Sequence, residues 1–234
     1  MSRNFTLLLI AALFIGLVTV SFSAELASRD PQPRNVVLEE YTGIYCTYCP
    51  DGHKRARALK EANPGRVVLI NVHAGGYAVP KAGAPDFRTP FGEQLVGLAQ
   101  VAGFPAGSIN RMVFPGAANQ SPYTPQTQGG TALSRGGWAI AAADSVLNGS
   151  ISPMNIGAVT KWSNSTRELN VDLELFFTSG IEGAVKLNVA LIESHIWGPQ
   201  TGGEDPVNYE HNFMLRHMLT GQWGEQITTT DKKD

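Results

Sequence analysis

The sequence predicts an α/β domain over residues 35–150, followed by an all-β domain of antiparallel, sandwich-like type over residues 151–234. Two observations lead to this prediction. In the first half, a strand pattern, a helix pattern and a second strand pattern follow one another around a Cys-x-x-Cys pair, which is the order of a β-α-β unit. In the second half, apolar and polar residues alternate with the two-residue period of half-buried strands.

The N-terminus has the pattern of an export signal, which we assign to residues 1–23. One basic residue, Arg3, precedes an apolar run over residues 5–22, and the small residues Ser23 and Ala24 follow it. The alternative is a membrane anchor, because the run is about long enough to span a bilayer. We favour cleavage, since a polar stretch rather than a basic cluster comes next. The prediction is an exported protein of the periplasm, the outer membrane or the cell surface.

The charge of the chain argues against nucleic-acid binding. The formal net charge is −2 and the isoelectric point is about 6.2. Neither value, nor the distribution of Lys and Arg along the chain, gives the basic stripe that a polyanion requires. We therefore predict no nucleic-acid partner.

The elements predicted around the cysteine pair begin with a strand and a helix. In order they are a strand over 36–41, a helix over 48–62, a strand over 66–73, a long loop over 74–88 and a helix over 91–102. Pro50 falls in the first turn of the first helix, where proline is tolerated. The pair Cys46 and Cys49 therefore lies at a strand-to-helix junction.

The spacing of Cys46 and Cys49 favours chemistry over stabilisation. Closing a four-residue loop stabilises a fold by only about 2 kcal/mol, against about 4.7 kcal/mol for a loop of about 100 residues. The same spacing lets a second thiol resolve a mixed disulfide that forms at the first. A helix N-terminus also favours the thiolate. We predict that Cys46 is the nucleophile and Cys49 the resolving thiol.

A metal site is the alternative, because Cys-x-x-Cys forms half of many zinc sites. His53 lies one helical turn after Cys49, and His73 ends the second strand, so a Cys2His2 site is conceivable. We nevertheless predict no metal and no cofactor. The other histidines are expected at the surface or in loops: His195, His211 and His217.

This order of elements, followed by Phe104-Pro105, resembles the thioredoxin fold. The resemblance implies that the Phe104-Pro105 bond is cis, packs beside the disulfide and presents backbone to a bound peptide. Phe104 and Pro105 are therefore substrate-binding candidates. We add Tyr45 and Tyr48, which lie next to the cysteines in the sequence.

The same resemblance gives a role to Glu40, six residues before Cys46. Thioredoxin-like proteins commonly carry a buried acidic group beneath the resolving cysteine. A buried carboxylate has a raised pKa and can accept the proton of Cys49. The alternative is that Glu40 points to solvent, with Glu39 facing inward or with neither buried.

The second half continues with one helix and three strands. The helix is expected over 138–147, and the strands over 155–162, 168–178 and 184–196. Each strand has one apolar face, so a second layer should cover it. Three strands are too few to close two layers, which leaves an incomplete sandwich with an unprotected edge. We expect residues 25–150 to fold alone.

A closer resemblance covers nearly the whole chain after the export signal. Its segments are LEEYTG (38–43), CTYCP (46–50), VHAGG (72–76), FPAGSINR (104–111) and HNFMLRHMLTGQWG (211–224). They resemble the twenty-eight-kilodalton outer-membrane protein (Omp) related family. That resemblance implies a thioredoxin-like domain joined to a β-sandwich in the cell envelope. Such proteins usually continue through further strands after the last segment, whereas this chain stops at Asp234.

Two functions follow as hypotheses. The first is a thiol-disulfide oxidoreductase of the envelope, whose partners are protein thiols and disulfides. The second is a non-enzymatic, outer-membrane-associated binding or adhesion protein that keeps the thioredoxin scaffold. The direction of redox chemistry depends on the reduction potential, which does not follow from sequence.

Overall fold

The computed structural model describes residues 25–116 and 121–227 and the backbone of residues 232–233. The export signal predicted over residues 1–23 lies outside the described residues. Within those ranges, no helix has the length and apolar character needed to cross a membrane.

The helices are α1 (Cys49–Ala62), α2 (Gly92–Ala99) and α3 (Trp138–Ala142), with a π-helical turn over Ala143–Leu147 and a 3-10 turn over Gly76–Ala78. The strands, in chain order, are β1 (Gln32–Pro33), β2 (Val36–Thr42), β3 (Val67–His73), β4 (Ala106–Ile109), β5 (Leu133–Ser134), β6 (Ile151–Ser152), β7 (Met154–Ser163), β8 (Glu168–Phe177), β9 (Ile181–Glu182), β10 (Lys186–Leu187), β11 (Ala190–Glu193), β12 (Ile196–Gly198), β13 (Tyr209–His211), β14 (Met214–Met218), β15 (Glu225–Gln226) and β16 (Lys232–Lys233).

A six-stranded mixed sheet forms the centre of the fold, with the strand order β11-β14-β3-β2-β4-β5. β2 and β3 are parallel, with Glu40 opposite Asn71, and α1 makes the crossover between them. β4 runs antiparallel on the other side of β2, where Gly107 is opposite Glu40. The prediction of a mixed α/β fold is confirmed, and Glu40 lies on a central strand.

Helices cover the sheet on both faces around β2. Leu38 packs with Ala56 of α1 and Trp138 of α3 on one face. Tyr41 packs with Leu95 of α2 on the other. Successive side chains of a strand point to opposite faces, so consecutive residues of β2 are buried on both sides.

Two strands of the second half belong to this same sheet. β14 runs parallel to β3, and β11 pairs antiparallel with β14. Met214 and Leu215 are buried in the core. The sheet therefore crosses the division that the sequence pattern suggests at residue 150. Alternation identifies a strand but not its partner, because pairing depends on contacts between distant parts of the chain.

The rest of the second half differs from a sandwich. β7 and β8 form the antiparallel hairpin expected from the patterns over 155–162 and 168–178. The strand expected over 184–196 is divided into β10, β11 and β12, which pair with three different strands. Apart from the six-stranded sheet, every sheet in the described residues has two strands. The described residues thus form no two-layered sandwich, because the apolar residues of β11 and β14 pack into the α/β core instead.

Candidate functional site

Cys46 and Cys49 form a disulfide at the start of α1, and their Cα atoms are 5.4 Å apart. The helix begins at Cys49, and Cys46 lies in the turn that connects β2 to it. The backbone N–H groups at this helix end favour an anionic sulfur. The pair therefore occupies the strand-to-helix junction that the sequence predicts.

Both cysteines are buried, although the two residues between them are exposed. Cys46 is 2% exposed and Cys49 is fully buried, whereas Tyr48 is 65% exposed. Tyr48 is therefore presented to solvent, whereas the disulfide lies beneath the surface.

A segment over residues 199–206 packs on the turn that holds Cys46. Gln200 is fully buried, and its Nε2 donates hydrogen bonds to the carbonyl oxygens of Gly43 (3.2 Å) and Cys46 (3.1 Å). An added Cβ at Gly202 would collide with the backbone of Thr47, so the two segments are in close contact. The sequence carries no local signal for this contact, and Gln200 is a site residue that sequence reasoning missed.

Glu40 is completely buried and points toward α1. Its Oε1 lies 2.6 Å from the position that a Cβ on Gly52 would occupy, and Gly52 is one helical turn after Cys49. Neither carboxylate oxygen has a hydrogen-bond partner in the described part of the chain. Burial raises the pKa of Glu40 well above 4.5, and the charge of Arg57 opposes this only in part. The alternative in which Glu40 faces solvent is wrong.

Glu39 is also buried, but on the opposite face of the sheet. Arg111 holds it with two hydrogen bonds, from Nε to Oε2 at 2.8 Å and from Nη2 to Oε1 at 2.6 Å. A bidentate pair of this kind satisfies a buried charge. The two adjacent carboxyl groups therefore differ in their partners. Glu39 is paired with Arg111, and Glu40 has no hydrogen-bond partner among the described residues.

His53 lies on α1 beside Glu40 and is buried. Its Nε2 is 2.9 Å from Thr42 Oγ1 and 3.9 Å from Glu40 Oε1, and its Nδ1 is 3.0 Å from the hydroxyl of Tyr209. The pKa of His53 is lowered to about 3, mainly by burial and further by His211. His53 is therefore neutral near pH 7, and its 3.9 Å approach to Glu40 is not an ion pair.

His73 and His211 lie close to this group. Their ring centroids are 5.3 Å apart, and both side chains are buried against Phe87. The expectation that His211 lies at the surface is wrong, because β13 carries it into the core; His195 and His217 are exposed as predicted. In the described ranges, no group of three or more His, Cys, Asp or Glu side chains could hold a metal ion.

The Phe104-Pro105 bond is cis. Pro105 is buried against α1, and two of its ring carbons lie 3.0 Å from the position of a Cβ on Gly52. A Cβ at position 52 would collide with Glu40 and would press closely on Pro105. Phe104 is half-buried, and its ring centroid is 6.0 Å from that of Tyr77.

The two tyrosines next to the cysteines have different surroundings. The guanidinium of Arg135 lies 5.7 Å over the ring of the exposed Tyr48. Tyr45 is half-buried, and its hydroxyl accepts a hydrogen bond of 2.9 Å from the backbone N–H of Lys81. The structure thus presents Tyr48 to solvent and ties Tyr45 to the loop after β3.

The fold is similar to that of HBP35 of Porphyromonas gingivalis, with a TM-score of 0.61 and 19% sequence identity. The similarity covers 86% of this chain and 62% of that chain, so this chain spans less than two thirds of HBP35. A crystal structure of a protein from Agrobacterium tumefaciens aligns with a TM-score of 0.47 and 13% identity, over 81% of this chain and 74% of that one. No family model and no curated protein matches the chain. The similarity to HBP35 indicates a shared fold, and membership of the Omp-related family stays a prediction.

Proposed function

We propose that this chain is an exported cell-envelope protein with a thioredoxin-like domain, and that Cys46 and Cys49 exchange with protein thiols and disulfides. The observation that supports this most directly is the disulfide at the start of α1, with the buried, unpaired carboxyl of Glu40 against the same helix one turn below Cys49. A disulfide with only a structural role does not require an unpaired carboxyl beside its helix. Burying such a carboxyl without a hydrogen bond costs free energy.

The chemistry follows from the charge state of Glu40. In the direction that oxidises a partner, a thiolate of the partner attacks Cys46 Sγ, and Cys49 leaves with the electron pair of the S–S bond. Glu40, which holds its proton because burial raises its pKa, transfers that proton to Cys49. The partner's second thiolate attacks the mixed disulfide and releases Cys46. The partner becomes a disulfide, the pair becomes a dithiol, and the reverse sequence reduces a partner disulfide.

The surface beside the disulfide is suited to an extended peptide. Tyr48 is exposed, and Phe104 lies half-buried next to Tyr77. Aromatic side chains supply contact area at low entropic cost. We assign substrate binding to Phe104, Pro105, Tyr45 and Tyr48.

The test is capture of partners in the envelope. A Cys49→Ser variant should accumulate mixed disulfides through Cys46, and a Cys46→Ser, Cys49→Ser variant is the matched control that cannot. The unmodified protein should also catalyse the reduction of insulin disulfides by dithiothreitol. If Cys49→Ser captures no more protein than the control, and insulin reduction is not accelerated, the proposal fails.

Location is tested separately. Expression of the full chain, and of a chain without residues 1–23, should place only the first in the envelope fraction. Distribution between the periplasmic and outer-membrane fractions then decides the compartment.

A second candidate function is non-enzymatic binding or adhesion at the outer membrane. The exposed apolar side chains of the β7–β8 hairpin favour it: Ile156 is 55% exposed and Trp162 is 53% exposed. The two residues point to the same face of β7, because an even number of positions separates them, and exposed apolar side chains that share a face favour an interaction surface. If a variant without both cysteines restored envelope function in a deletion strain while a Trp162→Ser variant did not, binding would be the better description.

A further inference from the structure

Glu40 has no direct route to water. The side chain is 0% exposed, and neither oxygen has a hydrogen-bond partner among the described residues. After Glu40 gives its proton to Cys49 it is left as a buried, unpaired carboxylate, and burial favours the recovery of a proton from solvent while the pair stays reduced. A group at hydrogen-bond reach, or nearly so, must therefore connect it to the surface.

His53 and Tyr209 form such a connection. His53 Nε2 lies 3.9 Å from Glu40 Oε1, so an approach of about 1 Å would bring the two atoms to hydrogen-bond distance. On the other side of the imidazole, Nδ1 lies 3.0 Å from the Tyr209 hydroxyl. Tyr209 is half-buried and lines an open cleft of about 470 Å³ between α1 and residues 202–210. The path thus runs from the core to solvent through two side chains.

The hydrogen bonds of His53 allow it to pass a proton in one of its two neutral tautomers. Burial raises the pKa of Tyr209, and the charge of Arg57 opposes that effect in part. In that tautomer His53 Nδ1 accepts the hydroxyl proton of Tyr209. The neutral imidazole then carries its own proton on Nε2, the atom that faces Thr42 and Glu40. This tautomer can deliver a proton toward Glu40.

We propose that His53 and Tyr209 are relay residues that carry protons between Glu40 and solvent. The inference rests on the proposed thiol–disulfide exchange. After Glu40 gives its proton to Cys49, its carboxylate takes the Nε2 proton of His53. His53 Nδ1 takes the hydroxyl proton of Tyr209, and Tyr209 takes one from water in the cleft. The hydroxide that this leaves combines with the proton that the attacking thiol released to solvent when it became a thiolate. Each group ends with the number of protons it had before. His53 returns to its first tautomer by ring rotation, or when reoxidation of the pair runs the same transfers in reverse.

The groups around His53 keep the relay neutral. Arg57 faces it from its own helix, His73 from β3, His211 from β13, and Glu40 from β2. Positive and potentially positive groups on three sides, together with burial, disfavour an imidazolium. A change of tautomer moves a proton across the ring without forming that cation.

The experiment measures the rate at which dithiothreitol reduces the Cys46–Cys49 disulfide, together with the equilibrium reduction potential. Tyr209→Phe keeps the ring and removes the relay oxygen, and Tyr123→Phe, which removes a hydroxyl that contacts Asp144 at the surface, is the matched control. We expect Tyr209→Phe to lower the rate about tenfold, within the range of proton-transfer effects, and to leave the potential unchanged. A rate equal to that of the unmodified protein, or a loss explained by a shifted potential, would overturn the relay.

Two further measurements test the relay, and the first uses only the unmodified protein. In mixtures of H2O and D2O, the unmodified protein should show a curved dependence of the rate on deuterium fraction, because several protons move together; a linear dependence would count against the relay. His53→Gln should slow reduction as Tyr209→Phe does, and the double variant should be no slower than either, whereas additive losses would contradict a single path. Because dithiothreitol acts without a protein partner, a protein that fails to capture partners but shows these effects would disprove only the proposed function.

Discussion

The side-chain amide of Gln200 donates a hydrogen bond of 3.1 Å to the carbonyl oxygen of Cys46, although 154 residues separate the two in the sequence. The same amide nitrogen lies 3.2 Å from the carbonyl oxygen of Gly43. One buried side chain thus holds both ends of the turn that leads into the disulfide. Because Cys46 is only 2% exposed, we expect segment 199–206 to loosen before a large thiol reaches it.

Replacement of Gln200 by Ala should therefore speed the reaction of the disulfide with glutathione. The variant loses two hydrogen bonds of about 1 kcal/mol each, so the open state becomes more populated, and the rate should rise about fivefold or more. Gln128→Ala, at an exposed position, is the control. Stopped-flow kinetics of disulfide reduction measure the effect. An unchanged or lower rate in Gln200→Ala would mean that the segment does not limit access.

Glu40 should reduce stability as the pH rises. Its pKa in the folded protein is raised above the ordinary 4.5, so the folded state keeps a proton that the unfolded state releases. The contribution of Glu40 to stability is therefore most favourable below pH 4.5 and is lost as the pH rises toward the folded-state pKa, by up to about 1.4 kcal/mol per pH unit. Glu40→Gln removes this loss. Its free energy of unfolding, relative to the unmodified protein, should increase steadily above pH 4.5 in denaturant titrations.

Glu61→Gln, at an exposed position of α1, is the matched control for that series and should show no such trend. Parallel pH curves for Glu40→Gln and the unmodified protein would show that the carboxyl is not held in its neutral form.

His211 should reduce stability as the pH falls, which is the opposite of the effect of Glu40. Burial lowers its pKa from 6.5 to about 4, although hydrogen bonds to Pro199 and Gly198 oppose the shift. The His211 imidazole therefore stays neutral in the folded state at pH values where it binds a proton in the unfolded state. Its contribution to stability is complete above pH 6.5 and is lost as the pH falls to about 4. A His211→Gln variant should lose less stability than the unmodified protein between pH 6.5 and 4. His217→Gln, at an exposed position, is the control, and identical slopes for all three proteins would refute the assignment.

A fragment over residues 25–150 should not fold cooperatively, contrary to the expectation from sequence. It lacks β14, whose Met214 and Leu215 are buried in the core beside β3. Without these two buried side chains the free energy of unfolding should fall by several kcal/mol, which is a large part of the stability of an ordinary domain. Circular dichroism and thermal unfolding of the fragment check this.

The control for that experiment removes the β7–β8 hairpin and joins its ends through a short turn. Met154 and Phe177 are paired neighbours, so the join needs little rearrangement of the sheet. The hairpin-deleted protein should unfold cooperatively. A cooperative transition in the 25–150 fragment would show that β14 is dispensable.

Local signals in the sequence were sufficient for the elements around the cysteines. Pro50 and the motif Asn63-Pro64-Gly65 mark the start and end of a helix, and α1 spans Cys49–Ala62. The alternation over 155–178 likewise matches the hairpin of β7 and β8. These predictions succeed because capping, proline geometry and side-chain periodicity act within a few residues.

The sequence by itself thus determined the Cys46–Cys49 pair, its position at a strand-to-helix junction and the mixed α/β class. Only the tertiary structure decided that β11 and β14 complete the sheet, that Glu40 rather than Glu39 is left unpaired, and that Gln200, Tyr209 and His211 reach the site. Periodicity specifies which face of an element is apolar, but partners are selected by packing between distant segments. Burial of both faces of β2, and the charge states that follow from it, arise only when those segments meet.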